Sequence, residues 1–278
     1  MSIQYVIDRP CRLKEEIPLK EIFKLRKIKS ILDVVDQSTF MPVSETKRFI
    51  VDHLEDGVIK TESITVAAMR EYILPLLKYK NFCNKCPVNI FQRECGCCGE
   101  IQFPVEKEVE YVLYHTVRLV IENHWEDAAG YFIKELACKV INTQQIKQMR
   151  KCYTEPVGSG QRYPVYFELS EGIEYSWGGK WIFCKNNLST DDIFQYAFFS
   201  GTLGDRSLVM LASFFSLFYD VAKMELDDLR LKDKIMANRF YNAVYEFQDY
   251  AAALTKAAKN NYTFTVVCEY SPNGEQQF

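Results

Sequence analysis

Apolar residues recur at spacings of three and four through most of the first 150 positions, and the pattern changes to alternation beyond them. Ile3 to Ile7 reads as a short strand. Pro18 opens a helix, because its missing N–H costs nothing in a first turn, and Leu19, Ile22, Phe23, Ile28, Ile31, Leu32 and Val35 supply the buried stripe. Lys20, Lys24 and Lys27 line another face, the usual arrangement of a solvated side. Ser44 is placed to cap a second helix that reaches Leu54 and stops at Asp56-Gly57. A third starts at Thr61 or Ser63 and passes Met69, Tyr72, Ile73 and Leu76 to end near Tyr79. Glu106 to Asn123 and Trp125 to Ile141 are helical as well, the former with Val109, Val112, Leu113, Val117 and Val120 on one side.

The polar run KCYTEPVGSGQRYP, with two prolines and two glycines, breaks this series. It predicts a boundary between a helical region, 1–154, and an α+β region, 155–278. Tyr163 to Leu169 and Ile173 to Cys184 come next as strands, the second folded into a hairpin at Gly178-Gly179. Ser189 to Asp192 caps a helix that carries Phe194, Ala197 and Phe198, and Asp205 caps an apolar helix through Val221. A long amphipathic helix is predicted from Leu226 to Lys259, with Leu229, Ile235, Phe240, Val244, Phe247, Ala251 and Leu254 as its stripe, and Tyr262 to Tyr270 is a closing strand. The fold class expected is α+β, predominantly α-helical, with a cysteine-rich metal-binding loop and a small antiparallel sheet in the C-terminal half.

Composition narrows the function. The chain has 278 residues, 48% of them hydrophobic and 26% charged, which suits a globular protein with a sizeable core. A net charge of −3 gives the whole molecule no general attraction for nucleic acid or anionic membrane. The N-terminus shows no secretion signal, and the longest apolar stretch, Ser207 to Tyr219, is too short to span a bilayer. A cytoplasmic location without membrane contact is therefore expected. Thiols there stay reduced, so the ten cysteines are expected to be ligands and core residues rather than disulfides.

Five of those cysteines fall between Cys83 and Cys98, in CNKCPVNIFQRECGCC. Cys83-x2-Cys86 and Cys95-x2-Cys98 offer four thiolates to one tetrahedral Zn2+, and Gly96 and Gly99 give the second turn the freedom such a site needs. The loop at 83–99 has few large apolar residues, Val88, Ile90 and Phe91, so metal binding supplies the free energy that orders it. Pro87 removes one N–H that would support a ligand sulfur, and Cys97 is a fifth thiol able to substitute for a ligand. The same cysteines can instead hold an iron–sulfur cluster, a use in which a Cys-Pro pair and irregular spacing are both tolerated.

Other chemistry is thinner. His53-x-Glu55 and then Cys83-x2-Cys86 have the order of ligands and proton shuttle in a zinc hydrolase of deaminase type, with Phe82 where that motif has proline. Three successive short helices up to Tyr79 permit a helix-turn-helix, although its third helix offers only Arg70 as a base-reading cation. Gly201 to Ser207 reads as a turn and cap, and His115 and His124 as helix-face histidines satisfied locally. The function expected is a binding or regulatory module for a protein or nucleic-acid partner, held by a structural zinc site with four cysteine ligands. The alternative is an iron–sulfur redox or sensor protein, and homodimerisation through the long C-terminal helix is a further expectation.

Overall fold

The computed structural model describes residues 2–37, 43–55, 58–102, 105–139, 144, 146, 166–167, 173–177, 180–184, 187–198 and 201–268. The chain divides into two compact units, Val6–Gly99 and Glu100–Cys268, the latter including Met1–Tyr5. The run at which the sequence places a boundary, 151–164, lies outside the described residues. The mixed, mostly helical α+β class is what the structure has.

The chain opens with β1 (Ser2–Asp8), α1 (Arg12–Glu16) and α2 (Leu19–Gln37), close to expectation. The next segment differs. Predicted as a helix from Ser44, it is β2 (Arg48–Glu55), paired antiparallel with β3 (Val58–Thr65) in the register Glu55 opposite Val58. Ile50, Val51, Ile59, Thr61 and Ile64 are β-branched, and Asp-Gly is a hairpin sequence as much as a helix stop. Alternation is visible in the burial: Val51 is buried, whereas Ile50 is 70% exposed. Ser44 caps no helix, its hydroxyl accepting instead from the Thr46 amide in a turn.

The third predicted helix begins later, at α3 (Val66–Tyr72), where the Thr65 hydroxyl accepts from the Ala68 amide at 3.2 Å. It is broken before Pro75, which sits in the first turn of α4 (Leu74–Lys78), and α5 (Lys80–Asn84) comes after it. Of the three helices expected to permit a helix-turn-helix, the middle one is thus the β2–β3 hairpin. Ile28, Leu32 and Val35 of α2 meet Val51, Ile64, Val66, Met69 and Ile73 in an aliphatic core. Arg70 reaches from α3 to Asp36 and Glu45, but these pairs are exposed and add little stability.

The second unit contains β4 (Cys98–Gln102, shared with the end of the first), α6 (Lys107–Asn123) and α7 (Ala128–Cys138). Asp127 caps α7 by accepting from the Ala129 and Gly130 amides, and a Cβ on Gly130 would lie 2.2 Å from the Trp125 carbonyl. Short strands β5 (Tyr166–Phe167) and β8 (Leu188–Ser189) pair, as do β6 (Ile173–Trp177) and β7 (Lys180–Cys184) in the expected hairpin. α8 (Thr190–Phe198) starts with a reciprocal cap: Ser189 N–H donates to the Asp192 carboxylate and the Asp192 amide to the Ser189 hydroxyl. After β9 (Thr202–Leu203) come α9 (Asp205–Lys232), α10 (Lys234–Asn260) and β10 (Thr263–Cys268). The small sheet runs in the order β4-β1-β10-β9.

The long helix expected from Leu226 is therefore two helices, since α9 continues past Val221 to Lys232. Asp233 is extended, with φ −152°, and its carboxylate accepts from the Ile235 amide to start the next helix. Gly204, not Asp205, is the N-cap of α9. Phe198, Phe214, Phe215, Phe218, Phe247 and Tyr250 form an aromatic core between α8, α9 and α10, and Phe132 of α7 packs on Phe214. Most of the predicted stripe faces this core, with Phe240, Val244, Phe247, Ala251 and Leu254 buried, whereas Ile235 at the start of α10 is exposed. By length and composition α9 could cross a membrane, and half of its most apolar window is buried within the protein. Cys138 is disulfide-bonded, and among the described residues Cys11, Cys83, Cys86, Cys95, Cys97 and Cys98 are free, so the expectation of ligand and core cysteines alone does not hold.

Candidate functional site

The cysteine loop lies within the Val6–Gly99 unit and is built from successive tight turns. Cys83 occupies the last turn of α5, and the amides of Cys86 and Asn89 donate to the carbonyls of Cys83 and Cys86 at 3.0 and 2.9 Å. The Asn89 side chain ties the loop's two ends together. Its amide donates to the Cys83 carbonyl at 2.8 Å and the Arg93 carbonyl at 2.9 Å, and its oxygen accepts from the Arg93 N–H at 3.2 Å. Gly96 lies directly against this residue, where a Cβ would fall 1.5 Å from the Asn89 oxygen. Gln92 and Cys95 hold φ of 48° and 54°, the left-handed region that residues with a Cβ enter at a cost. The Ile7 amide of β1 then fixes the Cys97 carbonyl at 2.9 Å.

This path buries Cys83, Cys95, Cys97 and Cys98 and leaves Cys86 partly exposed. The buried thiols form two hydrogen-bonded pairs. Cys83 pairs with Cys95, and the Cys97 and Cys98 sulfurs are 3.7 Å apart. Cys95 also lies within electrostatic reach of Cys97 and Cys98, which gathers all four sulfurs into one region. Among the described residues, however, no three His, Cys, Asp or Glu side chains converge closely enough to hold a metal ion as they stand.

In each pair one thiol keeps the proton and the other gives it up. The hydrogen bond from Cys95 draws Cys83 down to about 6 against the opposing effect of burial. That from Cys97 draws Cys98 down to about 7, again against burial and helped by Arg26, Lys14 and Arg93. Cys95 and Cys97, which hold the shared protons, are pushed up by the same bonds and by burial. Lys14 is pinned by the Ile7 and Arg9 carbonyls and the Asp8 carboxylate at 3.0–3.2 Å. Arg93 donates to the Cys98 carbonyl at 3.3 Å. Three cations thus attend a buried group of sulfurs, an arrangement suited to negative charge.

Of the four expected ligands, Cys83, Cys95 and Cys98 fall in the two thiol pairs together with Cys97, while Cys86 belongs to neither pair. His53 and Glu55 lie on β2 rather than at the start of a helix, and their side chains are outside the described residues. His124, the C-cap of α6 rather than a helix-face residue, bonds Asp127 at 2.7 Å, and the His115 ring lies 4.4 Å from that of Tyr111 at a tilted angle of 58°. Sequence reasoning missed Asn89, Lys14 and Arg26. Asn89 carried a signal, being a turn-forming residue between the two Cys-x2-Cys pairs. Lys14 and Arg26 carried none, being about 60–80 residues upstream of the loop.

The fold and site together describe a mostly helical α+β protein with a buried, cation-attended group of cysteines. Compared with protein-family models, curated proteins and solved structures, the chain matches none of them.

Proposed function

We propose that the Val6–Gly99 unit is a binding or regulatory module whose 80–99 segment is held by a cysteine-ligated metal, Zn2+ in the first instance. The observation that carries this reading is the gathering of four buried thiols by a loop with almost no core of its own, at the expense of a left-handed Cys95. Cys83, Cys86, Cys95 and Cys98 would hold the metal as thiolates, giving up the protons shared within the pairs, and the bound ion would supply the free energy that orders the loop. Cys97 then has a role without ligating: its S–H, 3.7 Å from the Cys98 sulfur, donates to a ligand thiolate. Lys14, Arg26 and Arg93 offset the double negative charge of a zinc ion held by four thiolates.

The outer face gives the module something to present. Tyr72, Leu74 and Phe82 are 48%, 59% and 45% exposed along α3 to α5, and Arg93 stacks on Phe91 at 4.8 Å. Exposed apolar and aromatic groups beside cations suit a protein or single-stranded nucleic-acid partner.

Metal analysis of protein purified without oxygen tests the reading. One zinc per chain is expected, lost on Cys83→Ser, Cys95→Ser or Cys98→Ser and on Cys86→Ser, but retained at lower affinity on Cys97→Ser. Iron with matching sulfide and a visible charge-transfer spectrum would instead make the loop an iron–sulfur centre. Neither metal, in protein that stays folded, would remove the reading.

A further inference from the structure

The buried thiols of the cysteine loop are gathered two by two. The Cys83 sulfur is hydrogen-bonded by both the thiol and the backbone amide of Cys95. The Asn89 side chain fixes the backbone on either side of that contact, donating to the Cys83 carbonyl at 2.8 Å and the Arg93 carbonyl at 2.9 Å. We infer that Cys83 and Cys95 form a redox couple, a dithiol that a hydroperoxide converts to a disulfide, and that closing this bond releases the metal. The release rests on the metal reading above; the couple does not.

Geometry singles out this pair. The Cys97 and Cys98 sulfurs are 3.7 Å apart, but the residues are adjacent in sequence. A trans peptide holds their Cα atoms about 3.8 Å apart, short of the about 4.4–6.8 Å that an unstrained disulfide spans. Cys83 and Cys95 stand on opposite arms of the loop and are free of that restraint. The product suits the place, since a disulfide carries no charge and Cys83 and Cys95 are only 7% and 1% exposed. Cys83, the more open of the two, is the sulfur a small peroxide reaches first.

The Cys83 sulfur attacks the terminal peroxide oxygen, an S–O bond forming as the O–O bond breaks. The thiol proton leaves with the alkoxide as an alcohol, or as water when the oxidant is hydrogen peroxide. The Cys95 sulfur then attacks the Cys83 sulfur, the S–S bond forms, the S–O bond breaks, and hydroxide departs with the Cys95 proton as water. The two sulfurs together lose two electrons to one peroxide. In the metal-loaded loop both sulfurs start as thiolates, and solvent supplies the two protons. Only Cys86 and Cys98 then remain as ligands, too few to retain zinc.

The test titrates hydrogen peroxide into the full chain, stripped of metal and kept under chelator, and maps the products by mass spectrometry. Trypsin cuts after Lys80, Lys85, Arg93 and Lys107, so Cys83, Cys86 and the group Cys95, Cys97 and Cys98 fall on three separate peptides. A link between peptides 81–85 and 94–107, placed on Cys95 by fragmentation, is expected about tenfold above any other pairing, a preference that the urea-unfolded chain loses. The same dose given to zinc-loaded protein should release zinc to a colorimetric indicator in step with the link. A link made to Cys86, Cys97 or Cys98 instead, loss of the thiols to sulfinic acid without any link, or the same pairings in folded and unfolded chains overturns the couple. Zinc retained after the link has formed overturns the release. A chain that forms the link but never takes up zinc keeps the couple and loses the metal reading alone.

Discussion

Asn89 and Gly96 carry more of the cysteine loop than any apolar contact does. The Asn89 side chain makes three hydrogen bonds to the loop's backbone, and only a residue without a Cβ fits where Gly96 presses against it. Gly96→Ala therefore displaces Asn89 and leaves backbone groups at Cys83 and Arg93 without their partners. About 1–3 kcal/mol of stability should be lost, read as a fall in the denaturant midpoint, and metal affinity should fall with it. The thiol pairs also set a pH dependence for protein stripped of metal. Cys83 and Cys98 drop from the ordinary 9.0 to about 6 and about 7 in the folded state, so below 9 the unfolded chain binds more protons than the folded one. Stability from these groups is lost as pH falls through that window and rises as pH climbs from 6 toward 9. Above 9 the sign reverses, because Cys95 and Cys97 keep protons that the unfolded chain releases. Denaturant midpoints of metal-free protein should accordingly peak near pH 9. A midpoint that falls steadily between about pH 6 and pH 9 would show that the pairs do not share protons in this way.

Helices with tertiary support along their whole length were legible, and short segments whose pattern fits two periods were not. α2, α6 and α10 each bury a stripe repeating over several turns, and nothing else accounts for such spacing. Residues 48–65 contain apolar groups at both helical and alternating intervals, and the decision for a hairpin came from β-branched side chains and an Asp-Gly whose two meanings the sequence does not separate. The break at Asp233 escaped for a related reason: an aspartate inside a charged helical surface looks like any other until its carboxylate caps the next helix. At the site, the thiols were legible because they cluster in sequence, whereas Lys14 and Arg26 reach them only through the fold. Of the stripe considered as a dimer seam, Phe240, Val244, Phe247, Ala251 and Leu254 are packed inside the unit, while Ile235 is 82% exposed. Phe247→Ala should therefore cost about 3–5 kcal/mol, through lost burial and the cavity left among Phe198, Phe215, Phe218 and Tyr250. Thermal denaturation and sedimentation on the same variant check this: the melting temperature should fall sharply with no change in mass, and a loss of dimer at unchanged stability would reassign the stripe to an interface.

Two cores of different character imply that the protein need not lose its structure in one step. The Val6–Gly99 unit rests on aliphatic residues and, in the proposed reading, on a metal; the Glu100–Cys268 unit rests on stacked aromatic rings. A ligand that binds only one folded unit stabilises that unit alone, by about 4 kcal/mol when present at roughly a thousand times its dissociation constant. Chelation should then lower the stability of the first unit and spare the second. The sequence supplies a built-in reporter, because all three tryptophans, Trp125, Trp177 and Trp181, belong to the second unit. Urea unfolding monitored by tryptophan fluorescence should give the same midpoint with and without chelator, while amide exchange in α2 and α3 accelerates once metal is removed. If the fluorescence midpoint moves by the full amount, the two units unfold as one cooperative body, and the metal stabilises the whole chain rather than one loop. If neither observable moves although metal has left, the 80–99 segment is held by Asn89 and its backbone turns alone, and the thiols have to be explained by chemistry rather than by stability.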